Sequence, residues 1–170
     1  MTEKYAKASE ETKEFYFYLG LLSTKFAIVE YKMLEFLGLL IADDFVLTNT
    51  ILERNSLSQN IELLKKINKY RQFKEDKVSI LIQQVSAIRV NRNLFIHGIW
   101  SSPSKHQNDL IITCSEPKIL YEESKMGRTW KSKRHHTFQL SYIKKQVQQL
   151  DDIIIGQNYL TEKLKETVID

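Results

Sequence analysis

The segment RNLFIHGIW at 92–100 holds the residues of this chain best suited to chemistry, Arg92, Asn93 and His97. The apolar residues before it, Val78, Leu81, Val85 and Ile88, alternate three and four apart, and the spacing continues through Arg92, Phe95 and Ile99. Arg92 therefore stands where the pattern asks for an apolar residue. A guanidinium there is costly unless it is paired or lines a polar cleft. Asn93 and His97 are four residues apart and share a helix face, whereas His97 lies about 140° round from Arg92. Gly98 sits where a helix-ending glycine is expected and lets the backbone depart. An imidazole titrates near neutrality and suits proton transfer, and the last turn of a helix favours a cation.

Each residue also has a structural reading. Arg92 could form a buried ion pair with Glu30 or Glu35 of the first helix, and His97 could cap open carbonyls. Trp100 reads as a packing aromatic. The single Cys114 excludes an internal disulfide or a cysteine zinc cluster and reads as a small buried hydrophobe.

The elements that must position these residues are mostly helical. Phe15, Leu19, Leu22, Phe26, Val29, Met33, Phe36 and Leu40 are spaced alternately four and three apart, which predicts a long first helix over about 9–42. Phe17, Leu21, Ile28 and Leu37 widen its stripe. A break at 42–44 precedes a short helix capped by Thr48 or Asn49 and ending near Ser56. Ser58 is expected to cap a third helix with Ile61, Leu64 and Ile67 inward, and a fourth runs from Asp76 to His97. Residues 98–140 then change character: DLIITC and KILYEE read as two strands of a hairpin and HTFQL as a third strand. Ser141 is expected to cap a last helix, with Gly156 as a local weak point. The expected fold class is all-α, an up-and-down bundle of four to five helices. A small β-hairpin or three-stranded insertion at 98–140 precedes the last helix, within one domain over 1–170.

Composition agrees with a soluble globular chain of 170 residues, 42% apolar and 27% charged. The charged N-terminus lacks the apolar stretch of a secretory signal. The run MLEFLGLLIA at 33–42 is too short to span a bilayer and carries Glu35, so no membrane contact and a cytoplasmic setting are expected. A net charge of +4 permits contact with nucleic acid without requiring it. No glycine-rich phosphate loop, catalytic Ser or Cys elbow, or zinc spacing is present.

The pattern Arg-polar-x-x-x-His at a helix end, here Arg92, Asn93 and His97 followed by Gly98 and Trp100, resembles the signature of HEPN-domain proteins. These are helical bundles, often ribonucleases of toxin–antitoxin, abortive-infection and CRISPR-associated systems. The resemblance implies a metal-independent endoribonuclease without a cofactor, acting as a homodimer whose two motifs face one cleft. It also implies RNA as substrate and an antitoxin or other partner protein. By the same resemblance His97 is the acid/base group, Arg92 holds the scissile phosphate, and Asn93 orients the His or the phosphate. The implied product is a 2′,3′-cyclic phosphate, with DNA resistant for want of the 2′-hydroxyl. Where some relatives carry a Tyr two residues after the His, this chain has Ile99. The alternative reading is a non-catalytic HEPN-like scaffold that binds RNA or protein.

One further stretch bears on RNA. Lys125, Arg128, Lys131, Lys133 and Arg134 surround Trp130, and His135 and His136 follow. They read either as a backbone contact with Trp130 stacking on a base, or as a solvated hairpin tip. The paired histidines have no third ligand at a helpful spacing, so no metal site is expected.

Overall fold

A computed structural model describes residues 9–42, 44–107, 109–116, 120–124, 127–131 and 134–168. Among them, five helices come first: α1 (Glu10–Ile41), α2 (Phe45–Leu52), α3 (Leu57–Arg71), α4 (Glu75–Arg89) and α5 (Arg92–His97). Six short strands follow: β1 (Ile99–Trp100), β2 (Ser104–His106), β3 (Asp109–Ser115), β4 (Leu120–Ser124), β5 (Gly127–Lys131) and β6 (His135–Gln139). A long helix, α6 (Leu140–Val168), comes last. The fold is mostly helical with a small antiparallel sheet before the last helix, as the periodicity predicts. No helix among the described residues is long and apolar enough to cross a membrane.

The chain forms two compact units. The helical one comprises Thr24–Val90 and the described residues after Val147. The heptad seam of α1 is its core: Phe26, Val29, Met33, Phe36 and Leu40 are buried, with Ile61 and Leu64 of α3, Val78, Leu81, Val85 and Ile88 of α4, and Leu150, Leu160 and Leu164 of α6. Leu37 joins them, whereas Phe17 and Ile28, expected to widen the stripe, are exposed. Polar contacts tie α6 to α1. Lys25 pairs with Asp151, Gln157 Nε2 donates to the Val29 carbonyl at 3.0 Å, and Lys165 Nζ lies 3.6 Å from Glu35 Oε1. Arg71 donates to the Leu40 and Ile41 carbonyls, both at 3.2 Å, filling acceptors that the end of α1 leaves open.

Three helix starts differ from expectation: Ser141, expected to cap the last helix, lies in the first turn of α6, which starts at Leu140. Asp44 caps α2 by accepting from the Leu47 amide at 2.9 Å, and Thr48 lies inside the helix, its hydroxyl on the Asp44 carbonyl. Ser56, rather than Ser58, caps α3, because Gln59 stands three residues on and completes a reciprocal capping box.

The other unit comprises the described residues up to Ser23 together with Asn91–Val147. Its centre is β3. One edge of β3 is shared by β1 near its C-terminal end and β2 near its start, and the other edge carries β6. The expected hairpin between DLIITC and KILYEE does not form. β4 pairs with β5 in a separate two-stranded sheet, and β3 takes β6 instead. The physical reason is facial matching. β3 buries Leu110, Ile112 and Cys114 on one face, and β6 places Phe138 opposite Ile112 on that face.

Asp109 joins this sheet to α6. Its carboxylate accepts from the Ser141 hydroxyl, from the Ser141 amide at 3.3 Å and from the Leu110 amide at 2.8 Å. Partial burial pushes its pKa up. The hydrogen bonds from Ser141 and Leu110, with the nearby Lys144 charge, outweigh that and hold it below the usual aspartate value. A carboxylate depressed in the folded state stabilises it above its unfolded pKa and loses that contribution as pH falls through the folded value. Asp109→Asn is therefore expected to lower stability at neutral pH and to flatten its acid-side loss below about pH 4, read from urea midpoints at stepped pH.

Candidate functional site

The helix carrying the motif is not continuous with α4. α4 ends at Arg89, Val90 and Asn91 form a turn, and α5 starts anew at Arg92. Val90 and Asn91 are weak helix formers, and Asn91 has ψ near −2°, which breaks the run of helical carbonyls. Its side-chain amide donates to the Tyr142 hydroxyl at 3.2 Å, so a tertiary contact holds the break. The break also falls where the chain passes from the helical unit to the other. The seam from Val78 to Ile99 is thus two seams, and Ile99, expected on the buried face, is 53% exposed in β1.

Phe95 anchors α5 to the sheet. It is buried, stacks on Trp100 with ring centres 6.0 Å apart, and lies 5.2 Å from Phe138. Trp100 also meets Phe15 at 5.3 Å, and its Nε1 donates to the Phe95 carbonyl at 3.4 Å. Trp100 is thus a packing residue. Phe138 in turn stacks on Tyr142, and Lys144 bridges Glu14 at 2.7 Å and the Tyr18 ring at 4.9 Å.

The end of α5 is pressed against β3. Gly98 has φ −66° and ψ 153°, an extended conformation open to any residue, so positive φ is not what calls for glycine. Space is what calls for it. A Cβ there would lie 2.2 Å from the Cys114 sulfur and 2.3 Å from the Leu94 carbonyl oxygen. Cys114 is fully buried, and burial pushes its thiol up to about 11, which leaves it a packing residue rather than a nucleophile.

With Phe95 inward, α5 turns its polar residues out. Asn93 and His97 are exposed, and Arg92 is half-buried with its Nε shielded from solvent. Arg92 Nη1 donates to Asn93 Oδ1 at 3.2 Å. Arg92 and Asn93 are therefore joined directly, and His97 follows Asn93 on the same side of the helix.

Among the basic residues of 125–136, Lys125 and Lys133 lie outside the described residues. Arg128, Trp130 and Lys131 belong to β5, where only the backbone is described, and Arg134 is exposed with its carbonyl accepting from the Glu116 amide at 3.1 Å. His135 and His136 fall on opposite faces of β6, as neighbours in a strand must. His135 Nδ1 meets the Ser115 hydroxyl at 2.8 Å, and His136 Nε2 meets Glu116 Oε1 at 3.0 Å. No group of three His, Cys, Asp or Glu among the described residues could hold a metal ion. The Glu116–His136 pair was not legible as a unit: only the alternation in HHTFQ hints that His136 shares a face with Phe138, and the pairing of β3 with β6 brings Glu116 to it.

Comparison of the chain with family models, curated proteins and solved structures finds no match.

Gly98→Ala is expected to destabilise the protein by about 1–3 kcal/mol, because a buried thiol and a backbone carbonyl must both shift. The denaturant midpoint measures this, and an unchanged midpoint would contradict the close contact.

Proposed function

We propose that this chain is a metal-independent endoribonuclease of defence or toxin–antitoxin type, built on the Arg92–Asn93–His97 motif of a HEPN-like fold. The reading is carried by one observation: the short helix α5 buries Phe95 and joins half-buried Arg92 to exposed Asn93 at 3.2 Å, with exposed His97 four residues beyond Asn93. Arg92 and His97 would supply the two functions RNA transesterification needs, a fixed cation for the phosphate and a group that moves a proton. The 2′-hydroxyl loses its proton as its oxygen bonds to phosphorus. The bond to the 5′-oxygen breaks, and that oxygen takes up a proton. The products are a 2′,3′-cyclic phosphate and a 5′-hydroxyl. Arg92 bears the charge that develops on the phosphoryl oxygens, and Asn93 holds the guanidinium in place. As the resemblance implies, a homodimer would bring two such motifs to one RNA.

The shielded Nε of Arg92 favours a second reading, in which the arginine is structural and the chain is a binding scaffold for RNA or protein. The two readings separate on one experiment. Purified protein in EDTA is expected to cleave RNA and spare DNA of the same sequence. His97→Ala should lower the rate by about 10²–10⁴-fold with an unchanged melting temperature. RNA left intact by the wild-type protein, or cleaved equally by His97→Ala, would favour the scaffold.

A further inference from the structure

Transesterification of RNA calls for two proton transfers, one from the 2′-hydroxyl and one to the departing 5′-oxygen. The motif holds a single imidazole. The sheet against which α5 ends offers a second. Gly98, next to His97, lies against Cys114, and Cys114 pairs with His136 across the β3–β6 ladder. Glu116, the residue just past the end of β3 and two beyond Cys114, holds His136 Nε2 at 3.0 Å. The His136 and Glu116 side chains are 39% and 30% exposed, so the pair is held in place yet reachable by a ligand. His97 thus leads into the end of β3 at which His136 stands: Trp100 and His136 pair with Cys114 from opposite edges, about two strand spacings, or ~10 Å, apart.

We propose that His136, oriented by Glu116, is the proton donor to the leaving 5′-oxygen, with His97 taking the 2′-hydroxyl proton. This rests on the ribonuclease reading above. Glu116 keeps a proton on Nε2, so the proton handed over comes from Nδ1. Transfer from the doubly protonated ring leaves the neutral tautomer that Glu116 already binds, and water or the protonated His97 restores the second proton. His135 cannot take this role, because it lies on the opposite face beside Ser115.

The test compares two substrates that differ in the leaving group. An RNA oligonucleotide leaves as a strongly basic alkoxide and needs an acid. Uridine 3′-(4-nitrophenyl phosphate) leaves as a weakly basic phenolate and does not. His136→Gln is expected to slow RNA cleavage by about 10²–10⁴-fold while changing turnover of the nitrophenyl ester by less than about tenfold. His97→Ala is expected to slow both. Glu116→Gln keeps the ring but loosens it, and is expected to show the same selective loss to a smaller degree. It carries the comparison should His136→Gln melt early. Equal losses on both substrates, or none, in a folded His136 or Glu116 variant would overturn the role of His136 and leave the ribonuclease reading standing. A wild-type protein inactive on both substrates would overturn the ribonuclease reading itself, and this role with it.

Discussion

The contact between the Gly98 backbone and the Cys114 thiol is the constraint on which the rest of the candidate site depends. A Cβ at Gly98 has no room, so the chain leaves α5 directly onto the centre of the sheet. That approach sets where α5 ends, and it brings β1 into register with Ser115 and Cys114. It also sets how the helix is turned. With Gly98, the residue after it, pressed on β3, and Phe95 set against Trp100 and Phe138, α5 turns Asn93 and His97 outward.

An α5 of six residues could not stand alone, since isolated helices need about twice that length. Its order comes from packing at both ends: the Asn91–Tyr142 hydrogen bond at its start and the Gly98–Cys114 contact at its finish. The aromatic cluster from Phe15 through Trp100 and Phe138 to Tyr142 fills the space between. Such a support suits a functional side chain, because the rotamers of the anchoring residues are locked by their neighbours. Asn93 and His97, which it presents, are exposed.

The β insertion then acts as more than a spacer before α6. Asp109 at one end of β3 ties the strand to the first turn of α6 through Ser141. The other end of β3 carries Cys114 and Ser115 and leads into Glu116, and these meet the chain leaving α5, His135 and His136. One central strand therefore carries the structural tie at one end and gathers the polar groups at the other.

Much of the fold was legible from local pattern. The seam from Phe15 to Leu40 and that from Val78 to Ile88 mark faces that water excludes, and both are buried with the single partial exception of Leu19. The placement of the β insertion before the last helix was equally readable, because turn residues cluster there. The types and spacing of Arg92, Asn93 and His97 were likewise plain in the chain. Tertiary structure alone decided where the fourth seam stops, because Asn91 is drawn to Tyr142, a residue 51 positions away. It also decided strand partners, since a hydrophobic alternation names a face and not a neighbour. β3 could satisfy its edge with any matching strand, and Phe138 opposite Ile112 made that strand β6. The role of Gly98 followed the same rule: its residue type was visible in the sequence, but the sulfur that leaves no room for a side chain comes from a strand 16 residues further on.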